Sequence, residues 1–182
     1  MRERVPDRLV RAVELLDVRL RERILEVGCG PGVAAALLCD RVGDGGRVTA
    51  IDRSATAIER ARKRNADAVA TGRLTLQHVA LAQLPAESAH RFDAVLAVNV
   101  NVFWAGNSDE EFQALARVTK PGARLVIAYE TPTGTLSAEA RRTIIATLRD
   151  HGFTSKVLRE PPLVAFVATR GSAGRRRVGG QP

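Results

Sequence analysis

The densest concentration of chemically meaningful residues is Glu26–Val27–Gly28–Cys29–Gly30–Pro31–Gly32. Three glycines at alternate positions let a backbone turn sharply and bring peptide N–H groups up to a ligand. A helix starting just after them would add the positive end of its dipole, suited to a carboxylate or a phosphate. A glycine loop alone is also what any tight strand-to-helix turn requires. Asp52 adds the second half of a site: it follows Gly32 by 20 residues and closes the next apolar run. A carboxylate there can accept two hydrogen bonds from a ribose diol, so loop and acid together imply a nucleoside-containing ligand. The dinucleotide fingerprint G-x-G-x-x-G would put its third glycine at position 33, which is Val33.

A second group, Asn99–Val100–Asn101–Val102–Phe103–Trp104, carries amides and aromatics but no acid, base or thiol. Asn99, Asn101 and Trp104 are its candidates for catalysis by orientation and for walling a pocket; Phe103 and Trp104 could equally just cover the end of a sheet. The histidines are His78, His90 and His151. None is spaced with cysteine or acid as a metal centre requires, so no metal is expected. His78 ends an apolar run near the expected ligand, His90 lies in a polar loop, and His151 precedes Gly152 at a helix end, where a dipole role fits. Cys29 and Cys39 form no C-x-x-C pair and read as free thiols. Neither a G-x-S-x-G elbow nor a phosphate-binding G-x-x-x-x-G-K loop occurs.

The elements that must position these residues alternate along the chain. Leu9, Val13, Leu16 and Leu20 predict an amphipathic helix over 7–20. Strands follow at 24–27 and 48–52, flanking an alanine-rich helix over 33–42. Ser54 caps a helix running to Val69, whose Arg60, Arg62, Lys63 and Arg64 make a solvated face. Further strands are expected at 74–79 and 92–98. Ser108 and Glu111 form an S-x-x-E capping box for a helix ending near Thr119, and Pro121–Gly122 turns the chain into a strand over 124–129. Ser137 caps a last helix ending before Gly152, and two strands at 153–158 and 163–168 meet at Glu160–Pro161–Pro162, a link short enough only for antiparallel pairing. The pattern predicts an α/β fold: a doubly wound, mostly parallel seven-stranded sheet with a C-terminal antiparallel hairpin strand.

The chain's 182 residues suit one domain, expected over 1–170, with 171–182 as a disordered basic tail. At 45% hydrophobic and 26% charged residues the chain can bury one core. No apolar run approaches the roughly 18–20 residues of a membrane helix, and the charged N-terminus lacks a secretory h-region, so a cytoplasmic protein is expected. Lys plus Arg total 28 against 20 Asp plus Glu, a net +8. Arg170, Arg175, Arg176 and Arg177 supply four of those charges, which leaves a mildly basic body and keeps nucleic acid open as a partner.

ILEVGCGPG over 24–32 and VTAIDRS over 48–54 resemble the first two motifs of the class I S-adenosylmethionine-dependent methyltransferases, and LAQLP, RFDAVLAV and VTKPGARLVIAYE resemble later segments. The resemblance covers about residues 20–168 and includes the terminal hairpin. It implies a Rossmann-like fold and S-adenosylmethionine (SAM) as cofactor. It further implies that Gly28, Gly30 and Gly32, with Cys29 between them, line the methionine part and that Glu26 faces its amino group. Asp52 would hold the ribose hydroxyls, Arg53 lie along the adenine, Leu81 offer its N–H to the ring, and Asn99 sit near the sulfonium. The family commonly has an acid where this chain has Ala80; Gln83 or a water is the replacement the sequence offers. The N-P-P-[YF] pattern of many amino-methylating relatives is absent after the fourth strand. The implied activity is methyl transfer to an O, N, S or C nucleophile, on a small molecule first. Such a short chain leaves the site open, walled by a partner, or completed in a homodimer. The alternative is a SAM-binding or degenerate module acting through a protein or RNA partner. An NAD(P)-dependent oxidoreductase fits less well, for want of the third glycine and of a Ser/Tyr-x-x-x-Lys pair.

Overall fold

The computed structural model describes residues 5–104 and 108–172. Its strands are β1 (Arg23–Val27), β2 (Arg47–Asp52), β3 (Leu74–His78), β4 (Phe92–Val98), β5 (Thr119–Glu130), β6 (Phe153–Glu160) and β7 (Leu163–Arg170). They form one sheet in the order β3-β2-β1-β4-β5-β7-β6. The first five run parallel, and β7 inserts antiparallel between β5 and β6. The strand order reverses between β1 and β4, so the loops leaving their carboxyl ends diverge and open a crevice.

The helices are α1 (Asp7–Leu16), α2 (Val33–Val42), α3 (Ala55–Arg64), α4 (Ala66–Ala70), α5 (Asp109–Val118) and α6 (Ala138–Asp150). Successive strand residues point to opposite faces. On β4, Val95 and Ala97 therefore join Phe112, Leu115, Ile144 and Leu148 of α5 and α6 in one core, and Phe92, ahead of the register shift between it and Ala94, joins them. Ala94 and Leu96 face the other, with Val13 and Leu16 of α1 and Leu38 of α2. With both faces covered, the central strands are almost wholly apolar, as a buried parallel sheet requires. Among the described residues no helix is long and apolar enough to cross a membrane.

Four elements differ from the sequence expectation. The first helix stops at Leu16, because Asp17 takes a left-handed conformation (φ 53°, ψ 54°). Arg124 of β5 donates to the Leu16 carbonyl at 3.0 Å and to Glu22 at 2.6 Å, fixing the turn into β1, and Leu20 is left exposed. The helix expected over 54–69 breaks at Asn65 into α3 and α4. The Ser108–Glu111 box does not form: Ser108 has ψ 6°, outside the extended region a capping residue needs, and its side chain caps no N–H. Pro121–Gly122 is not a boundary, since β5 already begins at Thr119 and the two residues ride in an irregularity where the register with β4 shifts. Ser54 and Ser137 cap as expected, accepting from Ala57 and Ala140 at 3.2 and 3.1 Å. The basic tail expected at 171–182 lies, from residue 173 on, outside the described residues.

Candidate active site

The glycine loop leaves β1 at the point of reversal. Gly28, Gly30 and Gly32 have φ of 69°, 52° and 77°, a region that costs an L-residue with a Cβ roughly 1–2 kcal/mol. Two of the three are also sterically required. A Cβ on Gly28 would stand 2.6 Å from Val100 Cγ2, and one on Gly32 would stand 2.6 Å from Asn65 Nδ2 and 2.9 Å from the Ala61 Cα. The loop is held from below by Ile51, whose carbonyl accepts from the N–H groups of Gly28 and Cys29 at 2.8 and 3.0 Å.

Asp52 ends β2 beside this loop. Its Oδ2 accepts from the Gly30 N–H and its Oδ1 from the Ser54 N–H, both at 2.9 Å. The carboxylate thus ties the glycine loop to the start of α3 and is oriented before any ligand arrives. Each oxygen has a second lone pair for a further donor. Arg53 follows, exposed, its carbonyl held at 2.9 Å by His78 Nε2. His78 therefore positions Arg53, and it lines neither cavity described below.

Glu26 is buried at 5% exposure, and its Oε2 has no hydrogen-bond partner among the described residues. Burial, and after it the charge of Asp52, pushes its carboxyl up to about 8. An orphaned buried carboxyl of this kind is costly unless a donor or cation meets it. Cys29 is also buried, and desolvation with the charges of Glu26 and Asp52 raises its thiol to about 12, so it is a protonated wall and not a nucleophile.

Two cavities flank the loop. One, of about 370 Å³, is lined by Glu26, Cys29, Gly30, Val33, Val98 and, from the N-terminal segment and α1, by Pro6, Arg8 and Leu9. The other, of about 290 Å³, is lined by Asp52, Arg53, Ala80, Leu81, Asn101 and Glu111 among others. Gly28 and Asn99 line both. Asn99 has φ 57°; its N–H donates to Ala128 and its Oδ1 accepts from the Glu130 N–H, each at 2.8 Å. It locks the end of β4 to β5 and keeps its side-chain N–H groups for other partners. Leu81 opens a 3-10 turn, whose first N–H groups lack partners within the turn.

The segment after β4 divides. Asn101 lines the second cavity, whereas Trp104, at 39% exposure, lines neither cavity. Phe103 is fully buried, edge-on to Phe112 with centroids 5.3 Å apart. Gln83 is exposed and lines neither cavity, so the structure does not bring the replacement for Ala80 that the sequence offered into the site. His90 Nδ1 donates to the Thr119 carbonyl at 3.1 Å, and His151 meets Asp109 at 2.9 Å while stacking on Phe112. No grouping of His, Cys, Asp and Glu among the described residues could hold a metal.

Several supporting residues escaped the sequence reading. Buried Asn65 donates to Gly32 O at 3.0 Å and Ala61 O at 2.9 Å, and Arg64 donates to Pro31 O at 3.1 Å. Tyr129 donates to the Val100 carbonyl at 2.8 Å from beneath. In sequence, Asn65 was one more polar residue in an arginine-rich helix and Tyr129 one more residue of a core strand. Only the asparagine inside a helical run could have signalled a break.

A reversed α/β sheet with a left-handed glycine loop, an oriented carboxylate and twin cavities at its switch point defines a nucleoside-binding doubly wound domain. Known proteins place it further. A profile of the methyltransferase domain family matches residues 24–122. The chain is 30% identical over 129 residues to a ubiquinone/menaquinone biosynthesis C-methyltransferase of Pseudomonas putida, covering 70% of this chain and 50% of the relative. It is 40% identical over 122 residues to a protein-L-isoaspartate O-methyltransferase of Methylorubrum populi, covering 67% and 51%. The crystal structure of a SAM-dependent methyltransferase from Aquifex aeolicus superposes with a TM-score of 0.72 at 17% identity, covering 88% of both chains. The chain belongs to the methyltransferase domain family, among the class I SAM-dependent methyltransferases. It spans about half the length of the curated relatives it matches.

The residues present fit SAM. Glu26 offers an unpaired buried carboxyl where a cationic amino group would satisfy it, and Gly28, which has no room for a Cβ, lines both cavities.

Proposed function

We propose that this domain binds SAM across the crevice and transfers its methyl group to an O, N, S or C nucleophile of a small molecule. The observation that carries the reading is the Asp52 carboxylate fixed to the Gly30 N–H at 2.9 Å, next to the unpartnered Glu26. Bound SAM supplies an electrophilic methyl on a sulfonium sulfur. Asp52 accepts hydrogen bonds from the ribose hydroxyls, Arg53 and the Leu81 N–H serve the adenine, and Glu26 meets the methionine amino group. Gly28, Cys29, Gly30 and Gly32 allow close approach of the backbone. Asn99, common to both cavities, orients the reacting centre. Asn101 lines the cavity of Asp52 and not the one beside α1, so it helps orient SAM, and exposed Trp104 serves at most a large acceptor.

No side chain in Asn99–Phe103 can take a proton at neutral pH, so rate comes from proximity and desolvation. An acceptor that ionises readily, or a nucleophilic carbon or thiolate, suits such a site. The relatives named as C- and O-methyltransferases are consistent with either outcome. The cavity beside α1 is where the acceptor enters, and its volume of about 370 Å³ is that of a small-molecule pocket. A cytoplasmic protein with free Cys29 and Cys39, completed where necessary by a homodimer, remains part of the proposal.

The test is calorimetry with SAM and S-adenosylhomocysteine (SAH), followed by SAH release over a panel of phenols, thiols, amines and stabilised carbanions. Micromolar binding, on the order of −8 kcal/mol, with turnover on at least one acceptor supports the proposal. Tight binding without turnover on any acceptor would favour a binding module instead.

A further inference from the structure

The capping box that fails to form leaves Glu111 unaccounted for. Glu111 lies in the first turn of α5, is half-buried, and lines the same cavity as Asp52, Ala80 and Leu81. No hydrogen bond or ion pair engages it among the described residues. It is one of only two carboxylates lining that cavity, and the other, Asp52, is tied down by two backbone N–H groups. Val79, Leu81, Val100 and Val102 supply an apolar stretch of the wall suited to the faces of a flat ring, and Arg53, Asn99 and Asn101 supply its other polar side chains. An ionised carboxylate can only accept hydrogen bonds. Placed against the exocyclic 6-substituent of a purine, it therefore accepts from an amino group and repels a carbonyl oxygen.

We propose that Glu111 reads the amino edge of the adenine, taking from α5 the role that Ala80 cannot perform, and makes the cavity selective for a 6-aminopurine over a 6-oxopurine. This rests on the SAM reading of the crevice. Glu111 touches the base and not the transferred methyl, so it governs binding specificity and not the chemical step. Two residues of the sequence find one explanation: an alanine just past β3 where an acceptor is expected, and a glutamate that lines the cavity without capping its helix.

The experiment is calorimetric titration of the full chain with SAH and with S-inosylhomocysteine, its 6-oxo analogue. Wild-type protein should prefer SAH by tenfold or more, the scale of a hydrogen bond to a charged group lost and replaced by repulsion. Glu111→Gln presents both a donor and an acceptor. It should weaken SAH about tenfold, strengthen the 6-oxo analogue, and bring the two within about twofold. Glu111→Ala should weaken SAH comparably without the gain for the analogue. Asp52→Asn should weaken both ligands and preserve their ratio. A preference unchanged in Glu111→Gln, with SAH still bound, overturns the assignment of Glu111 and leaves the SAM reading standing. Failure of the folded wild-type chain to bind SAH overturns both.

Discussion

Asp52 shows how one carboxylate can serve structure and ligand together. Its two oxygens hold the Gly30 and Ser54 N–H groups at 2.9 Å, so the same group that would accept a ribose diol also fixes the loop next to it. Asp52→Ala should weaken SAH binding by about 1.5–3 kcal/mol. It should also lower the melting temperature modestly, because two N–H groups lose their acceptor; an unchanged Kd by calorimetry would place the ribose elsewhere. Glu26 should behave in the opposite sense for stability. Its carboxyl is raised to about 8 in the folded chain by burial, so unfolding at neutral pH releases a proton. The stability this neutral form gives is fully present at acid pH and is lost as pH rises from about 5 toward 8. Glu26→Gln is neutral throughout, so its melting temperature should exceed the wild-type value by a margin that widens across that window and levels off above it. The same substitution should weaken SAM binding, since the cationic amino group loses its carboxylate. A margin independent of pH, measured by thermal scans from pH 5 to 9, would mean that Glu26 ionises freely in the unliganded chain.

At the level of elements, the glycine loop makes sharper demands than its sequence suggests. Gly30→Ala meets no atom within 4 Å, so only its φ of 52° opposes it and the cost should be about 1 kcal/mol. Gly32→Ala drives a Cβ against the Ala61 backbone at 2.9 Å and displaces Asn65, and should cost several times more, about 3 kcal/mol or above. Urea titrations giving the two variants equal midpoints would contradict the packing described for α3. The loop, Asp52 and the alternation of strands and helices were legible in the sequence because each follows from local chemistry: glycine conformations, a strand-terminal acid, and apolar runs of strand length. What sequence could not show depends on contacts between distant segments. Arg124, more than a hundred residues from Leu16, ends α1 early. Asn65 splits a helix because the Gly32 carbonyl, 33 residues away, needs a donor. Glu111 matched a capping pattern, yet the backbone at Ser108 turns the wrong way for it. Of the candidate site residues, Asn99 and Asn101 reach a cavity and Trp104 does not, since a 3-10 turn over Asn101–Phe103 separates Trp104 from them.

At the scale of the whole molecule, reversal of strand order between β1 and β4 opens the crevice, and α1 closes one side of it. Pro6, Arg8 and Leu9 wall the cavity proposed to receive the acceptor, so residues ahead of β1 supply part of its cover. Arg8 pairs with Glu130 at 3.0 Å on a surface where both are about a third exposed, and such pairs contribute at most about 1 kcal/mol. Arg8→Ala should therefore leave the melting temperature and SAH affinity nearly unchanged while altering KM for the acceptor. An equal fall in SAH affinity, measured beside the steady-state kinetics, would mean that Arg8 holds the cofactor. The central claim is that one crevice holds the nucleoside on Asp52 and the amino-acid end by Glu26, with Gly28 and Asn99 between them. It is tested most directly by a crystal structure of the chain with SAH. The ribose hydroxyls should lie within hydrogen-bond distance of the Asp52 carboxylate and the homocysteine amino group should face Glu26. A ribose bound away from Asp52, or an amino group pointing out of the Glu26 cavity, would contradict the account.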